Sequence, residues 1–427
     1  MPHKFLFVSK DALISDIAWQ VVKEGHEVKY FIENKSEDDI ANGFVPKTKD
    51  WRGDVDWAEV IIFDDVLGHG SLADELRKKG KKVIGGTPYT DRLEDDRSFG
   101  QNELKRHGVK IIPYWEFDNF DQAIAFVKEH PDEYVIKPSG EAQNIKRLLF
   151  VGMEKDGSDV IRILNSYKKV WSDDIKVFQL QKKVKGVEIA VGAFFNGKKF
   201  IYPININFEH KKLFPGNLGP ATGEMGTSVF WSEPNRLFNE TLKKLENTLA
   251  QENYAGYIDI NCIVNGQGIY PLEFCARFGY PTISIQKDGI VNPISEVLYS
   301  LANGADFQLK VKKGFQVGVR IVVPPYPFRD RKTFNSYSRG ATIVFKKTDN
   351  LEGVHIEDVK LINQQWVVTG SAGVALIVVG TGLTMKEAQG QAYSRIENIL
   401  IPNMYYRKDI GDRWFDEGDK LHSWNII

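Results

Sequence analysis

The chain has 427 residues, of which 42% are hydrophobic and 26% are charged, and its mean hydropathy is -0.32. This length predicts about three domains or lobes, and the composition is typical of globular rather than disordered or fibrous proteins. The 56 basic and 57 acidic residues give a formal charge of -1, so the sequence predicts no overall attraction to nucleic acid or to an anionic membrane.

The apolar segments and the cysteines indicate neither a membrane protein nor a secreted one. The first ten residues contain a short apolar run that predicts a β-strand and lacks the length and the cleavage site of a signal peptide. No apolar stretch approaches the roughly 18 residues that a spanning helix needs. Cys262 and Cys275 cannot form a disulfide framework and lack the paired spacing of a zinc site. We therefore expect a protein of the reducing cytoplasm.

Short apolar runs alternate with helical patterns in the first third of the chain. Strands are predicted at 5–8, 28–32, 60–63 and 83–84, and helices at 14–24 and 72–79. Such alternation predicts a parallel sheet covered on both faces. Residues 1–105 are therefore interpreted as a Rossmann-like lobe.

The remainder of the chain predicts two further regions. In the first, from 106 to 310, strands are expected at 134–138, 177–183, 188–195, 200–207, 256–264 and 268–274, with a helix near 157–169; a helix at 97–107 leads into it. In the second, from 311 to 427, strands are expected at 318–323, 342–346, 365–368 and 374–379, followed by a helix at 385–399. The second region begins with the turn-dense Pro324–Pro327 stretch and is interpreted as an α+β lobe.

Two carboxylates give the strongest chemical signal. Asp259 lies in the run YIDIN and Glu273 in PLEFCARFG, and the turn residues 265–268 between them predict a β-hairpin. Neighbouring carboxylates repel unless they share a cation, and Mg²⁺ prefers oxygen ligands while leaving positions for phosphates. Both acids could instead be solvated strand residues. Apolar residues on either side of each acid favour an inward orientation in a mostly buried sheet.

Three further charged side chains are candidates for anion and ribose binding. Arg277 offers a planar fork that suits phosphoryl or carboxylate oxygens, although a structural ion pair is the alternative. Lys137 and Glu188 lie at the edges of apolar strands, where either could be a solvated strand end. Beside a metal site, the lysine could meet phosphate oxygens and the glutamate could accept both ribose hydroxyls.

A glycine-rich stretch, GPATGEMGT at 219–227, is a candidate substrate loop. Gly219, Gly223 and Gly226 free the backbone for close approach to a ligand, and amides in such a loop can cradle an anion. The stretch does not match the Walker pattern, and no such P-loop occurs in this sequence. A surface turn with three glycines is the alternative.

These motifs resemble those of the ATP-grasp superfamily and, within it, of the phosphoribosylamine–glycine ligases, also called glycinamide ribonucleotide synthetases. YAGYIDINCIVNGQGIYPLEFCARFG resembles that family's tyrosine-alanine-glycine strand followed by its glutamate-phenylalanine-asparagine-x-arginine-phenylalanine-glycine motif. GPATGEMG resembles its glycine-proline-asparagine-threonine-glycine-glycine-methionine-glycine loop. EHKK at 209–212 and YRKDIGDR at 406–413 are similar to its aspartate-histidine-lysine-arginine stretch and its closing arginine-lysine-aspartate-isoleucine-glycine signature.

The resemblance implies an α/β ATP-grasp fold with ATP held between two lobes, one of them a nucleotide-covering lobe at about 134–188. It further implies that the γ-phosphate passes to a carboxylate, which is glycine in the family, and that an amine, phosphoribosylamine in the family, attacks the acyl phosphate. ATP and Mg²⁺ (or Mn²⁺) are the implied cofactors. The implied site residues are Arg97 and Lys137 for ATP phosphates, Gln181 for adenine, Glu188 for ribose, Asp259 and Glu273 for metal, Arg277 for catalysis, and Gly219, Pro220, Thr222, Gly223 and Gly226 for the substrate loop.

The sequence departs from the family pattern mainly on the substrate side. Cys275 occupies the position of a metal-binding asparagine, and a thiol is a poor ligand for a hard cation, so Asn261 is an alternative ligand. The segment Gly140–Lys146, which covers the phosphates in the family, is poor in glycine, and Gln143 and Ile145 predict a stiffer lid.

Two more departures concern the amine substrate. The family's glycine-rich loop after the first strand, tied there to the phosphorylated amine, is replaced by the residues 9–12, SKDA. Tyr280 and Thr282 replace acidic residues expected after RFG. Three hypotheses follow: a divergent phosphoribosylamine–glycine ligase of purine biosynthesis, an ATP-grasp ligase that joins another acid and amine, and a non-catalytic nucleotide-binding relative.

Overall fold

The computed structural model of the protein describes residues 2–64, 68–139, 145, 148–347 and 351–427. The chain folds into two units. Unit 1 comprises Met1–Asp91, Ile189–Ile260 and Cys275–Ile427, and unit 2 comprises Arg92–Glu188 and Asn261–Phe274. The three-part division at residues 105 and 310 stays a prediction.

The described strands and helices in chain order are as follows. The strands are β1 (Lys4–Ser9), β2 (Glu27–Ile32), β3 (Val60–Phe63), β4 (Lys82–Ile84), β5 (Tyr114–Phe117), β6 (Tyr134–Pro138), β7 (Phe150–Val151), β8 (Phe178–Lys182), β9 (Val187–Asn196), β10 (Phe200–Glu209), β11 (Lys212–Phe214), β12 (Leu218–Ala221), β13 (Gly226–Ser232), β14 (Ala255–Asn265), β15 (Gly268–Cys275), β16 (Phe315–Val322), β17 (Thr342–Phe345), β18 (Val354–Ile356), β19 (Val359–Ile362), β20 (Gln365–Val368), β21 (Val374–Gly382) and β22 (Ile399–Leu400). The α-helices are α1 (Ser15–Lys23), α2 (Gly70–Lys78), α3 (Pro88–Asp95), α4 (Arg97–Arg106), α5 (Phe120–Glu129), α6 (Ser158–Val170), α7 (Arg236–Glu240), α8 (Glu246–Gln251), α9 (Thr282–Gly289), α10 (Ile294–Ala302), α11 (Arg331–Tyr337), α12 (Met385–Ile396) and α13 (Arg413–Ser423). Within the described ranges, none of these helices is both long and apolar enough to cross a membrane.

The first part of unit 1 is a parallel sheet with strand order β2-β1-β3-β4. Alternate residues of β1 enter different cores: Phe5 and Phe7 pack in the core that contains α1, whereas Leu6 and Val8 pack in the core that contains α2. Both faces of the sheet are therefore covered, as the alternation of strands and helices predicts.

An eight-stranded sheet has the order β15-β14-β9-β10-β13-β16-β21-β18. Its registered pairs among β9, β10, β13, β16, β18 and β21 are antiparallel. Strands β16, β21 and β18 continue this sheet even though they follow the boundary predicted at residue 310. Helix α12 packs closely on β21. A Cβ added at Gly380 would lie only 2.2 Å from the Ala388 carbonyl oxygen. Glycine is needed there for the close approach.

Unit 2 contains an antiparallel sheet with strand order β5-β8-β6-β7. Ile136 of β6 and Leu180 of β8 are paired, and both are buried in a core that is completed by α5 and α6. Because side chains alternate along a strand, the residues beside them point away from this core. One face of the sheet is thus fixed by apolar packing, and the other is available for polar groups.

Four charged side chains form a buried cluster in unit 1. Asp16 of α1 accepts hydrogen bonds from Lys287 Nζ at 2.8 Å and from Ser284 Oγ at 3.1 Å, and its Oδ2 lies 3.1 Å from His355 Nδ1. His355 Nε2 lies 3.1 Å from Asp288. Burial favours the neutral acid, but Lys287 and His355 outweigh it and lower the pKa of Asp16 far below its usual range. The cluster therefore joins α1, α9 and β18.

This cluster predicts a dependence of stability on pH. Burial and Lys287 oppose protonation of His355, but Asp288 and Asp16 outweigh them and raise its pKa above 6.5. A histidine with a raised folded-state pKa stabilises the fold fully below the unfolded value and loses that contribution as pH rises through the folded value. We expect the thermal unfolding midpoint to fall as pH rises above 6.5, and to fall less steeply in His355→Gln. The exposed His422 supplies the control, since His422→Gln should keep the wild-type slope; equal slopes for wild type and His355→Gln would contradict the assignment.

Candidate functional site

Unit 2 presents a polar face on its sheet opposite α5 and α6. Lys137 of β6 pairs with Gln179 of β8, and Val135 pairs with Gln181. Directly opposite residues share a face of the sheet, and so do residues two apart on one strand. Lys137, Gln179 and Gln181 therefore project together on the side away from the apolar core. All three side chains are buried.

Several polar atoms near this face are buried but not saturated by hydrogen bonds. Gln179 Nε2 donates to Ser98 Oγ at 3.0 Å, whereas Gln179 Oε1, Gln181 Nε2 and Ser139 Oγ have no hydrogen-bond partner within the described part of the chain. Buried polar atoms are normally paired, so such a group of atoms indicates a place where water or a polar ligand binds. Gln181 was predicted from the sequence and Gln179 was not, although its spacing of two residues from Gln181 on one strand could have indicated it.

Arg97 begins α4 in the same unit. Burial lowers the pKa of its guanidinium, and the Glu273 carboxylate opposes that shift. Its Nε is buried without a hydrogen-bond partner among the described residues. The structure thus brings Arg97 and Glu273 into electrostatic range of one another. Glu188, the second residue of β9, is half-buried.

The predicted hairpin is present. Strands β14 and β15 are neighbours in the eight-stranded sheet, and Asn265 Oδ1 accepts a hydrogen bond from the Gln267 amide at 2.9 Å in the turn. Asp259 is 3% exposed, in agreement with an inward orientation, but Glu273 is exposed. The prediction that both acids point inward was wrong for Glu273, because β15 is the edge strand of the sheet and part of it reaches solvent.

Cys275 is the last residue of β15, Arg277 follows it two residues later, and both belong to unit 1. The Arg277 guanidinium donates to the Phe278 carbonyl oxygen at 3.0 Å, and the Cys275 thiol lies 3.8 Å from the Arg277 carbonyl oxygen. Among the described residues, no group of three or more His, Cys, Asp or Glu side chains is placed to hold a metal ion. Two carboxylates can still suffice for Mg²⁺, which keeps water and phosphate oxygens as its other ligands.

The glycine-rich stretch is more regular than a surface turn. Gly219 and Pro220 belong to β12, which pairs with β11, and Gly226 begins β13. A Cβ at Gly219 would lie 2.5 Å from the Phe214 ring, and one at Gly226 would lie 2.5 Å from the Gly318 carbonyl oxygen. Close contact with Phe214 at the surface and with Gly318 in the sheet therefore explains these two glycines. A Cβ at Gly223 would meet nothing closer than Arg320 Nη1 at 3.8 Å, so only this glycine leaves room for a ligand.

Part of the backbone in this stretch is already hydrogen-bonded within the protein. The amide of Thr222 donates to the Lys211 carbonyl oxygen at 2.8 Å, as does its hydroxyl group, and the Met225 amide donates to the His210 carbonyl oxygen at 2.8 Å. These amides hold the stretch against the EHKK segment. The Thr222 and Met225 amides are therefore committed to that segment and do not cradle an anion.

The C-terminal signature YRKDIGDR contacts, in unit 1, a motif that lies far before it in the sequence. Arg407, from YRKDIGDR, is buried, forms a 2.6 Å ion pair with Asp409 and donates to the Lys212 carbonyl oxygen at 2.9 Å. Arg413 donates to the Glu209 carbonyl oxygen at 3.1 Å. The C-terminal signature therefore supports the EHKK segment, which in turn holds the glycine-rich stretch.

The predicted lid lies largely outside the described residues. Of Gly140–Lys146, only Ile145 is described, and it packs beside the core of unit 2. The expectation that this segment is stiffer than the family's lid stays a prediction.

The sequence is similar to known protein families and to known enzymes. The family model for the ATP-grasp (A) domain of phosphoribosylglycinamide synthetase matches residues 95–283, and the model for its C domain matches residues 316–413. Together the two models match more than half of the chain. The phosphoribosylamine–glycine ligase of Clostridium acetobutylicum is 28% identical over 351 residues, which cover 80% of this chain and 81% of that protein.

Solved structures agree on the fold. The crystal structure of phosphoribosylamine–glycine ligase from Thermotoga maritima superposes with a TM-score of 0.71 at 21% identity, covering 95% of this chain and all of that one. A biotin carboxylase from Campylobacter jejuni, solved as a β-γ-ATP complex, superposes with a TM-score of 0.61 at 14% identity, covering 100% of this chain and 98% of that one. The α/β ATP-grasp fold is therefore confirmed.

Proposed function

Because this chain belongs to the phosphoribosylglycinamide synthetase family of ATP-grasp proteins, we propose that it is an ATP-dependent carboxylate–amine ligase that works through an acyl phosphate. Glycine and phosphoribosylamine, the substrates in the name of the C. acetobutylicum relative, are the leading pair, and purine biosynthesis is the corresponding pathway. The observation that carries the proposal is the buried polar face formed by Lys137, Gln179 and Gln181. A cytoplasmic location stays the expectation.

The nucleotide contacts are assigned to unit 2. Lys137 and Arg97 are cations that suit phosphate oxygens, and burial strengthens their attraction to those oxygens. The amide of Gln181 can both donate and accept, as adenine recognition requires. Glu188 is half-buried and can accept hydrogen bonds from both ribose hydroxyls.

Magnesium or manganese fits the chemistry of the available donors. Asp259 and Glu273 would hold the ion with carboxylate oxygens, and Asn261 offers an amide oxygen in place of the Cys275 thiol. When bound, the ion would neutralise charge on the phosphates.

The proposed reaction has two steps. A carboxylate oxygen of the acid substrate attacks the γ-phosphorus, the bond to the bridging oxygen of ADP breaks, and an acyl phosphate forms. The amine nitrogen then attacks the acyl carbon, the carbon–oxygen bond to phosphate breaks, and the nitrogen loses a proton as the amide forms. Lys137 and Arg277 act by positioning and by offsetting negative charge, which supplies most of the catalysis in phosphoryl transfer.

A second substrate pair is favoured by one observation at the end of β1. Asp64, which is fully buried, accepts a hydrogen bond from the Ser9 hydroxyl group and one from the Lys10 amide at 3.4 Å. Ligands of parallel sheets bind at the carboxyl ends of the strands. A carboxylate at that place repels a phosphate group, so an amine without a phosphate is the alternative substrate.

The test is ADP release by the purified protein with ATP and Mg²⁺. We expect release only when an acid and an amine are both present, and we expect the amide in the mass spectrum of the products. Glycine with freshly made phosphoribosylamine is compared with panels of other amino acids and amines. With the acid alone, isotope exchange between the bridging and non-bridging oxygens of ATP should reveal the acyl phosphate.

Each outcome separates the hypotheses. Release that needs glycine and phosphoribosylamine supports the purine ligase, and release with another pair supports the alternative amine. ATP binding without turnover or isotope exchange for any pair would contradict the ligase proposal and favour the non-catalytic relative.

A further inference from the structure

The glycine-rich stretch carries an acid, Glu224, where the motif that it resembles has a glycine. GPATGEMG places Glu224 at the second of the two adjacent glycines in the related motif. Glu224 is 5% exposed, so its carboxyl group is almost fully removed from water. An ionised carboxylate is costly to bury unless a cation or hydrogen-bond donors compensate for it.

A neighbouring buried cation, Arg320, compensates only in part for this carboxylate. Arg320 Nη1 donates to the backbone carbonyl oxygen of Glu224 at 2.9 Å, and Arg320 Nη2 forms a 2.6 Å ion pair with Glu357. The guanidinium is thus committed to a main-chain oxygen and to another acid. The side-chain Oε1 of Glu224 is buried and has no hydrogen-bond partner among the described residues.

Negative charge is in excess around this site. Three further acids lie near Glu224 and Arg320: Glu209, Glu357 and Asp358. Glu209 and Glu357 raise the pKa of Glu224, and Glu357 also raises the pKa of Asp358. Burial is the largest cause of the high pKa of Glu224, Glu209 adds to it, and Arg320 and Lys211 only partly offset it. Besides Glu224 Oε1, two further polar atoms, Glu357 Oε2 and Arg320 Nε, are buried without partners in the described part of the chain.

We propose that Glu224, together with Glu357, forms a subsite that binds a positively charged group, a primary ammonium, on the amine substrate. Two orphaned carboxylate oxygens, Glu224 Oε1 and Glu357 Oε2, can accept hydrogen bonds from an ammonium and would repel a phosphate, whereas Arg320 Nε is a donor and takes no part in binding the cation. Gly223, which is exposed and has no crowded neighbour, leaves an approach to the site. The link to the amine substrate rests on the proposed ligase function, whereas the binding of an ammonium group does not.

Isothermal titration of the full-length protein tests the subsite directly. The probes share a three-carbon chain and differ in charge: 1,3-diaminopropane carries ammonium groups, propane-1,3-diol is neutral, and 3-hydroxypropyl phosphate is an anion. We expect the diamine to bind at least about tenfold more tightly than the diol, and about 1.4 kcal/mol corresponds to one decade in affinity. The phosphate should bind most weakly.

Two substitutions identify the residue responsible. Glu224→Gln keeps the shape and removes the charge, and Glu224→Gly restores the residue of the related motif; both should abolish the preference for the diamine. Glu233→Gln, at an exposed acid of the same unit, should leave the preference unchanged. Thermal unfolding of each variant confirms that it is folded, and we expect Glu224→Gln to fold because it removes a buried charge.

The outcomes keep this inference separate from the ligase proposal. A wild-type protein without a preference for the diamine, or a Glu224→Gln variant that retains it, overturns the subsite. Ligand preference through Glu224 without ADP release from any substrate pair overturns the ligase function and leaves the subsite standing. Efficient turnover of phosphoribosylamine that is insensitive to Glu224→Gln overturns the subsite and leaves the ligase function standing.

Discussion

Asp16→Asn lowers the free energy of unfolding by about 3–5 kcal/mol, the range expected when one partner of a buried ion pair is removed. The substitution keeps the shape of the side chain but leaves Lys287 and His355 buried without the carboxylate that both contact. Asp16 Oδ1 also lies 3.4 Å from the Ile356 amide. Loss of the charge therefore affects helix α1, helix α9 and strand β18 together.

Urea unfolding measures this effect, with an unchanged slope showing that stability rather than the compactness of the unfolded state has changed. Asp306→Asn is the matched control in the same unit. Its side chain is 74% exposed and pairs with Lys199 at 2.7 Å, so its loss should cost no more than about 1 kcal/mol. Equal losses in the two variants would contradict the buried cluster.

A double variant distinguishes pairing from packing at this cluster. If Asp16 and Lys287 depend on each other, Asp16→Asn combined with Lys287→Met should lose less stability than the sum of the single changes. Additive losses would mean that the two side chains act independently.

Local patterns were sufficient to predict most of the strands but fewer than half of the helices. The predicted bounds of β3, β6 and β20 coincide with the observed Val60–Phe63, Tyr134–Pro138 and Gln365–Val368. Each is a short apolar or β-branched run that ends at a turn residue or a charge, so the local sequence is enough to predict where the strand begins and ends. It could not be predicted in this way that one sheet contains both the strands β9 to β15 and the later strands β16, β18 and β21. Pairing between strands that are distant in sequence leaves no local periodicity.

In the candidate site too, features that depend on neighbouring residues could be predicted, and features that depend on residues distant in sequence could not. The hairpin that carries Asp259 and Glu273 follows from the turn between its strands, and the polar face of unit 2 could be anticipated from Lys137 and Gln181. The side-chain environment of Glu224 could not, because Arg320 and Glu357 lie 96 and 133 residues further along the chain. The exposure of Glu273 also depends on its strand being at the edge of the sheet, which only the assembled fold determines.

Glu273→Gln should lower kcat for ADP release by about 10²–10³-fold, the effect of removing one group that stabilises charge at a reacting centre. The proposal gives this carboxylate a metal ion to hold, and the amide that replaces it keeps the size but not the charge. Because Glu273 is exposed, the fold should be unaffected, and the circular dichroism spectrum and unfolding midpoint should match the wild type. Glu129→Gln, at an exposed acid at the end of α5, should retain full activity.

The dependence on Mg²⁺ concentration separates metal binding from other roles of Glu273. If the carboxylate holds the ion, the Mg²⁺ concentration for half-maximal rate should rise in Glu273→Gln, and higher Mg²⁺ should restore part of the activity. Glu273 also acts electrostatically on Arg97, so a loss of rate that Mg²⁺ does not relieve would assign the carboxylate to positioning that arginine instead. Retained turnover at ordinary Mg²⁺ would remove Glu273 from the metal site and leave Asp259 and Asn261 as the remaining candidate ligands.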